Sequence, residues 1–332
     1  MSAADLPSLV QRFFTQRLLE QQGLSSHTVA SYRDTFRLLL AFATKHIGRA
    51  PSKLLRIEDF DVSLIEEFLQ HLEHGRGNSV RTRNTRLAAV HAFFRFVAVN
   101  EPALFLQCQR ILAIPSKRCE HGPVEFLTEG EAAALVGAPD VQTWVGNRDR
   151  TLLLVAVQTG LRNSELTTLR RQDVMLGTGA HVRCVGKGRK MRCTPLRPDV
   201  VAVLKEWLLY QPGEPGDPVF PSLRGGHLSA DALQRLVSRN AEIARLSCPS
   251  LKKKSITPHT LRHTAAMSLM HHGVDLTVIA LWLGHESSET TQIYLHADMQ
   301  LKERALAHAT ANGIAPTRYK PPDPLLAFLE AL

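Results

Sequence analysis

The sequence has little cysteine. Its five, Cys108, Cys119, Cys184, Cys193 and Cys248, are odd in number and far apart, and they show neither a C-x-x-C pair nor a zinc-ribbon spacing. A disulfide-stapled secreted scaffold and a zinc finger are both excluded, and the thiols read as reduced. Nowhere does the chain hold about eighteen consecutive apolar residues, the least a membrane helix needs. The opening MSAADLPSLVQRFF lacks the charged and then apolar stretches of an export signal. A cytoplasmic location with no membrane partner is expected. Repeats and low-complexity tracts are also missing, and no strand pattern interrupts the first third of the chain.

What is present is a chain of 332 residues, 44% apolar and 21% charged, which suits folded cores rather than disorder. That length exceeds what one core usually serves, so two domains are expected. Forty Lys and Arg against thirty-one Asp and Glu give a net charge of +9 and a pI near 9.6. The excess favours a polyanionic partner such as nucleic acid.

From Leu6 to about Ile114 apolar residues recur at three and four places, as in Phe36, Leu39, Leu40, Phe42 and Ala43. Start signals at Ser25–Thr28, at Asp61 or Ser63 and at Asn78–Ser79 mark helices over Tyr32–Lys45, over Leu64–Leu72 and around Arg81–Val97. IPSKRCEHGPVEFL, residues 114–127, carries two prolines and a glycine and reads as an exposed connection. Thr128–Glu131 then resembles a capping box before Ala132–Val136. Helices follow at Arg150–Gln158 and Ser164–Leu169. Val182–Val185 and Met191–Leu196 are strand candidates around a Gly186–Lys190 turn. Ser229–Ala309 is helical again, with breaks at Pro249, Pro258, Gly273 and Gly284.

Four segments carry polar groups that make sense together: Thr159-Gly-Leu-Arg162-Asn-Ser-Glu165-Leu, Gly186-Lys187-Gly188, His259-Thr-Leu-Arg262-His263, and Leu283-Gly-His285 followed nine places later by Tyr294. Two arginines offer planar forks that stay charged at any working pH and suit phosphate oxygens. Histidines can carry protons near neutrality. A tyrosine becomes a nucleophile only if its proton is removed or cations surround its phenolate. Each segment also has a plain reading: an i,i+3 ion pair at Arg162 and Glu165, surface histidines, a half-buried packing tyrosine, and a solvated basic turn at Lys187, Arg189 and Lys190. His259 and His263 stand at i,i+4 like zinc ligands, but Thr260 replaces the glutamate of a metalloprotease helix. No metal and no cofactor is expected.

In order and spacing these segments resemble the tyrosine recombinase (phage integrase) family, the integrases and recombinases of mobile elements and plasmids. The likeness spans roughly residues 128–297, and the helical N-terminal region is similar to the family's SAM-like core-binding domain. The resemblance implies a mainly α fold with a small antiparallel β-sheet (α+β). The implied domains are a helical DNA-binding domain over 1–114, a linker over 115–127, a catalytic domain over 128–312, and a tail over 313–332 with a docking helix. It implies Tyr294 as nucleophile, Arg162, Arg262, His259 and His285 around the phosphate, and Lys187 as general acid. Glu165 and His263 would lie behind them.

The substrate implied is double-stranded DNA with a specific recombination site, exchanged in a homo- or hetero-tetramer through a 3′-phosphotyrosyl intermediate without metal or ATP. Charge suggests further DNA contacts at Arg76, Arg81, Arg83 and Arg86, at Arg189 and Lys190, and at Lys252, Lys253 and Lys254. The apolar Leu325–Leu332, too short to be a stable helix alone, would dock on its own domain or on a neighbouring subunit. Two other activities remain open on sequence: a type IB topoisomerase that rejoins the same strand, and a DNA-binding factor without catalysis.

Overall fold

The computed structural model describes residues 5–48, 55–119, 124–186 and 191–284, with residues 291 and 294. The chain divides into two compact units, Met1–His121 and Gly122–Leu332. Among the described residues no helix is long and apolar enough to cross a membrane.

Among its described residues the first unit holds helices and no strand. Helix α1 (Leu6–Arg12) starts on the Asp5 carboxylate and continues in wider, π-helical turns over Phe13–Gln21. Helices α2 (Ser26–Ile47), α3 (Val62–Gln70) and α4 (Val80–Asn100) start on Ser25, Asp61 and Ser79, whose side chains accept the amides of Thr28, Leu64 and Thr82. Helix α5 (Phe105–Leu112) packs on α3 and α4. Phe13, Phe36 and Phe93 meet at the centre, with centroids 5.1–6.0 Å apart. Residues 115–117, at the start of the expected exposed connection, are exposed and hydrogen-bond to α4. Arg83 Nη1 donates to the Pro115 carbonyl at 3.0 Å and Asn84 exchanges hydrogen bonds with the Lys117 backbone.

In the second unit α6 (Glu129–Gly137) starts with the expected Thr128–Glu131 capping box. Helix α7 (Trp144–Thr159) supplies Leu152, Leu153 and Val155 to the core and ends at Gly160, where φ is 65°. A Cβ there would lie 2.6 Å from Leu283 Cδ2 and 3.0 Å from Ala265 Cβ, so both the left-handed turn and the close packing call for glycine. Helix α8 (Asn163–Thr168) follows.

The sheet is antiparallel in the order β1 (Val174–Met175), β2 (His181–Val185), β3 (Met191–Pro195). Val182 pairs with Thr194 and Cys184 with Arg192, which puts these four on the inner face. Helices α9 (Pro198–Tyr210), α10 (Ala230–Ser247), α11 (Pro258–His271) and α12 (Leu276–Leu283) complete the unit. The sequence reading places no element at β1 or α9. In α9, Val200, Leu204 and the fully buried Trp207 line the core, and Trp207 Nε1 donates to the Val219 carbonyl at 2.8 Å. A smaller apolar cluster joins Ala266, Met267 and Met270 of α11, Ile279 and Leu283 of α12, and Tyr294.

Candidate active site

Three chain corners converge. The α7–α8 corner carries Arg162, α11 carries His259, Arg262 and His263, and α12 ends at Leu283–Gly284. Gly284 takes φ 67° to turn the chain. The carbonyls left over at that helix end are the anchors: Arg262 Nη2 donates to Leu283 O at 2.8 Å and Arg162 Nη2 to Gly284 O at 2.7 Å. Arg262 Nη1 also donates to Gly160 O at 2.7 Å. Trp282 Nε1 donates to Thr159 O at 3.0 Å, a second tie between α12 and the α7 end. Both guanidinium groups are thus aimed by backbone carbonyls.

Glu165 is the carboxylate nearby, with a side chain only 4% exposed. It accepts from the Arg162 backbone amide at 2.7 Å and from Arg162 Nη1 at 3.1 Å. It also receives both ends of the Arg192 guanidinium, each at 2.7 Å. Burial alone would raise its pKa, but the Arg192 hydrogen bonds and the Arg162 contacts outweigh burial and hold it below the usual carboxylate range. Burial, seconded by the charge of Arg162, lowers Arg262 to about 10, so it stays protonated at neutral pH.

Tyr294 is 1% exposed, and its hydroxyl lies 3.0 Å from His263 Nδ1. Burial raises the phenol to about 12, with Arg262 pulling the other way. Burial, with the neighbouring His259 and Arg262, lowers His263 to about 4, so its imidazole is neutral. His259 is exposed, and its ring centroid lies 4.2 Å from that of His263.

The structure therefore brings together Arg162, Glu165, His259, Arg262, His263 and Tyr294. Lys187, Arg189, Lys190 and His285 lie outside the described residues, as does the tail, 313–332. Of the basic residues expected to meet DNA, Arg76, Arg81, Lys252 and Lys253 are exposed. Three others of that set make hydrogen bonds within the chain. Arg83 is 6% exposed and holds Pro115 O, and Arg86 Nη1 donates to Ser31 O and Thr35 Oγ1. Lys254 bridges Glu131 and the Phe126 carbonyl. Arg192 went unseen in the sequence, although an arginine on the inner face of a strand, opposite the buried Cys184, must find a partner. Among the described residues no group of three or more potential metal ligands exists.

The phage integrase family model matches residues 125–301, and that family's N-terminal SAM-like domain matches residues 11–100. The chain belongs to the phage integrase family. The integrase/recombinase y4rC of Sinorhizobium fredii (strain NBRC 101917 / NGR234) is 52% identical over 330 residues, 99% of each chain. Tyrosine recombinase XerD of Pseudomonas aeruginosa (strain PAO1) is 33% identical over 308 residues, covering 89% of this chain and 94% of its own. The fold is that of the Tn1549 transposon integrase in its complex with transposon right end DNA. The TM-score is 0.67 at 15% identity, over 93% of this chain and all of that one. Membership of the phage integrase family carries the class of activity, site-specific cleavage and rejoining of DNA through a tyrosine.

Proposed function

We propose that Tyr294 carries out this chemistry, with Arg162 and Arg262 clamping the scissile phosphate. The observation that carries the reading is the pair of guanidinium groups anchored on the successive carbonyls of Leu283 and Gly284, beside the Tyr294–His263 pair. In-line attack on a phosphodiester builds charge on the non-bridging oxygens, and two preorganised forks meet that charge, the nearby Glu165 carboxylate being shared between Arg162 and Arg192.

Tyr294 Oη leaves His263, loses its proton and bonds to phosphorus. The P–O5′ bond breaks, and the 5′-oxygen takes a proton from Lys187. His259 and His285 hydrogen-bond the phosphate oxygens and move the tyrosine proton. The 3′-phosphotyrosyl bond keeps the energy of the broken linkage, so a 5′-hydroxyl from the partner DNA reverses the step with neither ATP nor metal.

Residues 1–114 form the core-binding domain, which contacts the duplex through Arg76 and Arg81, and 128–312 form the catalytic domain, which contacts it through Lys252 and Lys253. The assembly is a homo- or hetero-tetramer on paired recombination sites in the cytoplasm, with the tail at 313–332 docking within or between subunits. The similarity to y4rC suits service to a mobile element or plasmid.

The test is an assay with two differently marked copies of the DNA flanking the gene. Joining of the two marks is expected. Relaxation of supercoiled DNA without exchange would instead make the enzyme a topoisomerase.

A further inference from the structure

Glu165 is shared unequally. Its two oxygens take both ends of Arg192 at 2.7 Å, while the Arg162 guanidinium reaches it with one nitrogen at 3.1 Å. The Arg192 side chain is 11% exposed, against 29% for Arg162. Arg192 is therefore the buried, bidentate counter-ion, and Arg162 is the outward, loosely held one. Bidentate charge-assisted pairing is the stronger of the two arrangements.

The same residue reaches the corner on which the clamp is hung. Arg192 Nε donates to Trp282 O at 3.1 Å, and a Cβ on Gly284 would come within 2.9 Å of its Nη1. Gly284 is thereby kept bare so that the guanidinium can lie against the backbone. Gly186, which follows β2 and immediately precedes Lys187 in sequence, is packed nearly as closely. A Cβ there would lie 3.1 Å from Arg192 Nη1, 3.5 Å from Glu165 Oε1 and 3.6 Å from Arg162 Nη1. One guanidinium thus packs beside Gly186, pairs with the carboxylate behind Arg162, and reaches the helix end that anchors both clamp arginines.

We propose that Arg192 is a positioning residue for strand cleavage: it occupies the Glu165 carboxylate, leaving the Arg162 fork and charge for the scissile phosphate, and it fixes the Trp282–Gly284 corner. The proposal rests on the reading of Arg162 and Arg262 as the phosphate clamp. Arg162, Arg192 and Arg262 against Glu165 leave a surplus of two positive charges for the incoming phosphate. Without Arg192 the carboxylate turns to Arg162 as its remaining cation, and the surplus falls to one. Removing the Glu165 charge as well restores the surplus to two.

That arithmetic gives the test a sign that a merely structural role does not share. Full-length protein is mixed with a nicked suicide duplex, its sequence chosen from the gene's flanking DNA by binding to the Tyr294→Phe protein. The single-turnover rate of covalent trapping is measured at saturating protein, and DNA affinity is measured separately. Arg192→Ala is expected to trap about 100-fold more slowly, the scale of losing one well-placed donor at a transition state, with affinity little changed, and Arg192→Lys, which keeps the charge but loses the bidentate pair, about tenfold more slowly. Glu165→Gln combined with Arg192→Ala is expected to trap about tenfold faster than Arg192→Ala alone, because neighbouring charges couple. Arg192→Lys keeps a cation at the position and serves if the alanine variant folds poorly. Wild-type rates in the Arg192 variants, or a double variant no faster than the single, overturn the proposal. Failure of the wild type to trap overturns the clamp reading instead.

Discussion

Tyr294 Oη and His263 Nδ1 sit 3.0 Å apart in a pocket that leaves the tyrosine 1% exposed. The proposed nucleophile is therefore protonated, shielded and held by a neutral imidazole. Burial, with His259 and Arg262, keeps His263 at about 4, below its ordinary 6.5. Between those two values the unfolded chain binds a proton that the folded chain does not, so stability falls as the pH drops from about 6.5 toward about 4. Melting temperatures across that range are expected to fall less steeply for His263→Gln than for the wild type. Equal slopes would show that His263 does not carry the effect.

Gly160 joins left-handed backbone, φ 65°, to a space already filled by Leu283 and Ala265. Gly160→Ala is expected to lose about 1–3 kcal/mol of stability, as non-glycine residues do in such backbone. It should slow strand cleavage as well, because the Gly160 carbonyl anchors Arg262. Denaturant unfolding and a trapping assay on the same preparation check both effects.

Glu165→Ala takes the carboxylate from a nearly buried ion pair with Arg192. Removing one partner of such a pair typically costs about 3–5 kcal/mol, because the other charge stays buried. A markedly lower melting temperature is expected, whereas Glu165→Gln, which keeps an acceptor oxygen, should lose less.

The arginines of α4 divide by face. Arg81→Ala is expected to reduce the slope of log affinity against log salt by about 1 without changing the melting temperature, as loss of one phosphate contact does. Arg83→Ala leaves the Pro115 carbonyl without that donor, and is expected to cost about 1–3 kcal/mol while leaving the salt slope alone. Salt titrations of DNA binding and thermal melts of the two variants distinguish these roles.

The same helix shows what the sequence could and could not disclose. Arg81, Arg83 and Arg86 read as one basic patch by proximity. A period of 3.6 instead places Arg83 on the face of Leu87, Val90 and Phe94, which is buried. Helix starts at Ser25, Asp61, Ser79 and Thr128 were legible because a cap is made within three residues. The Arg162–Glu165 contact was legible for the same reason. Helix α9 carried its own signal in Pro198 and Asp199 at the first turn. Arg192 to Glu165, 27 residues apart, and Trp282 to Thr159, 123 apart, are made only by the tertiary fold, and no local spacing announces them.

The most direct test of the central claim is to identify the residue that holds the DNA. Protein trapped on the nicked suicide duplex is digested, and the peptide carrying the nucleotide is sequenced by mass spectrometry. The account predicts a 3′-phosphate linkage on Tyr294, and a Tyr294→Phe protein that binds the duplex but leaves it uncleaved. A linkage at another residue, or equal trapping by Tyr294→Phe, would contradict it.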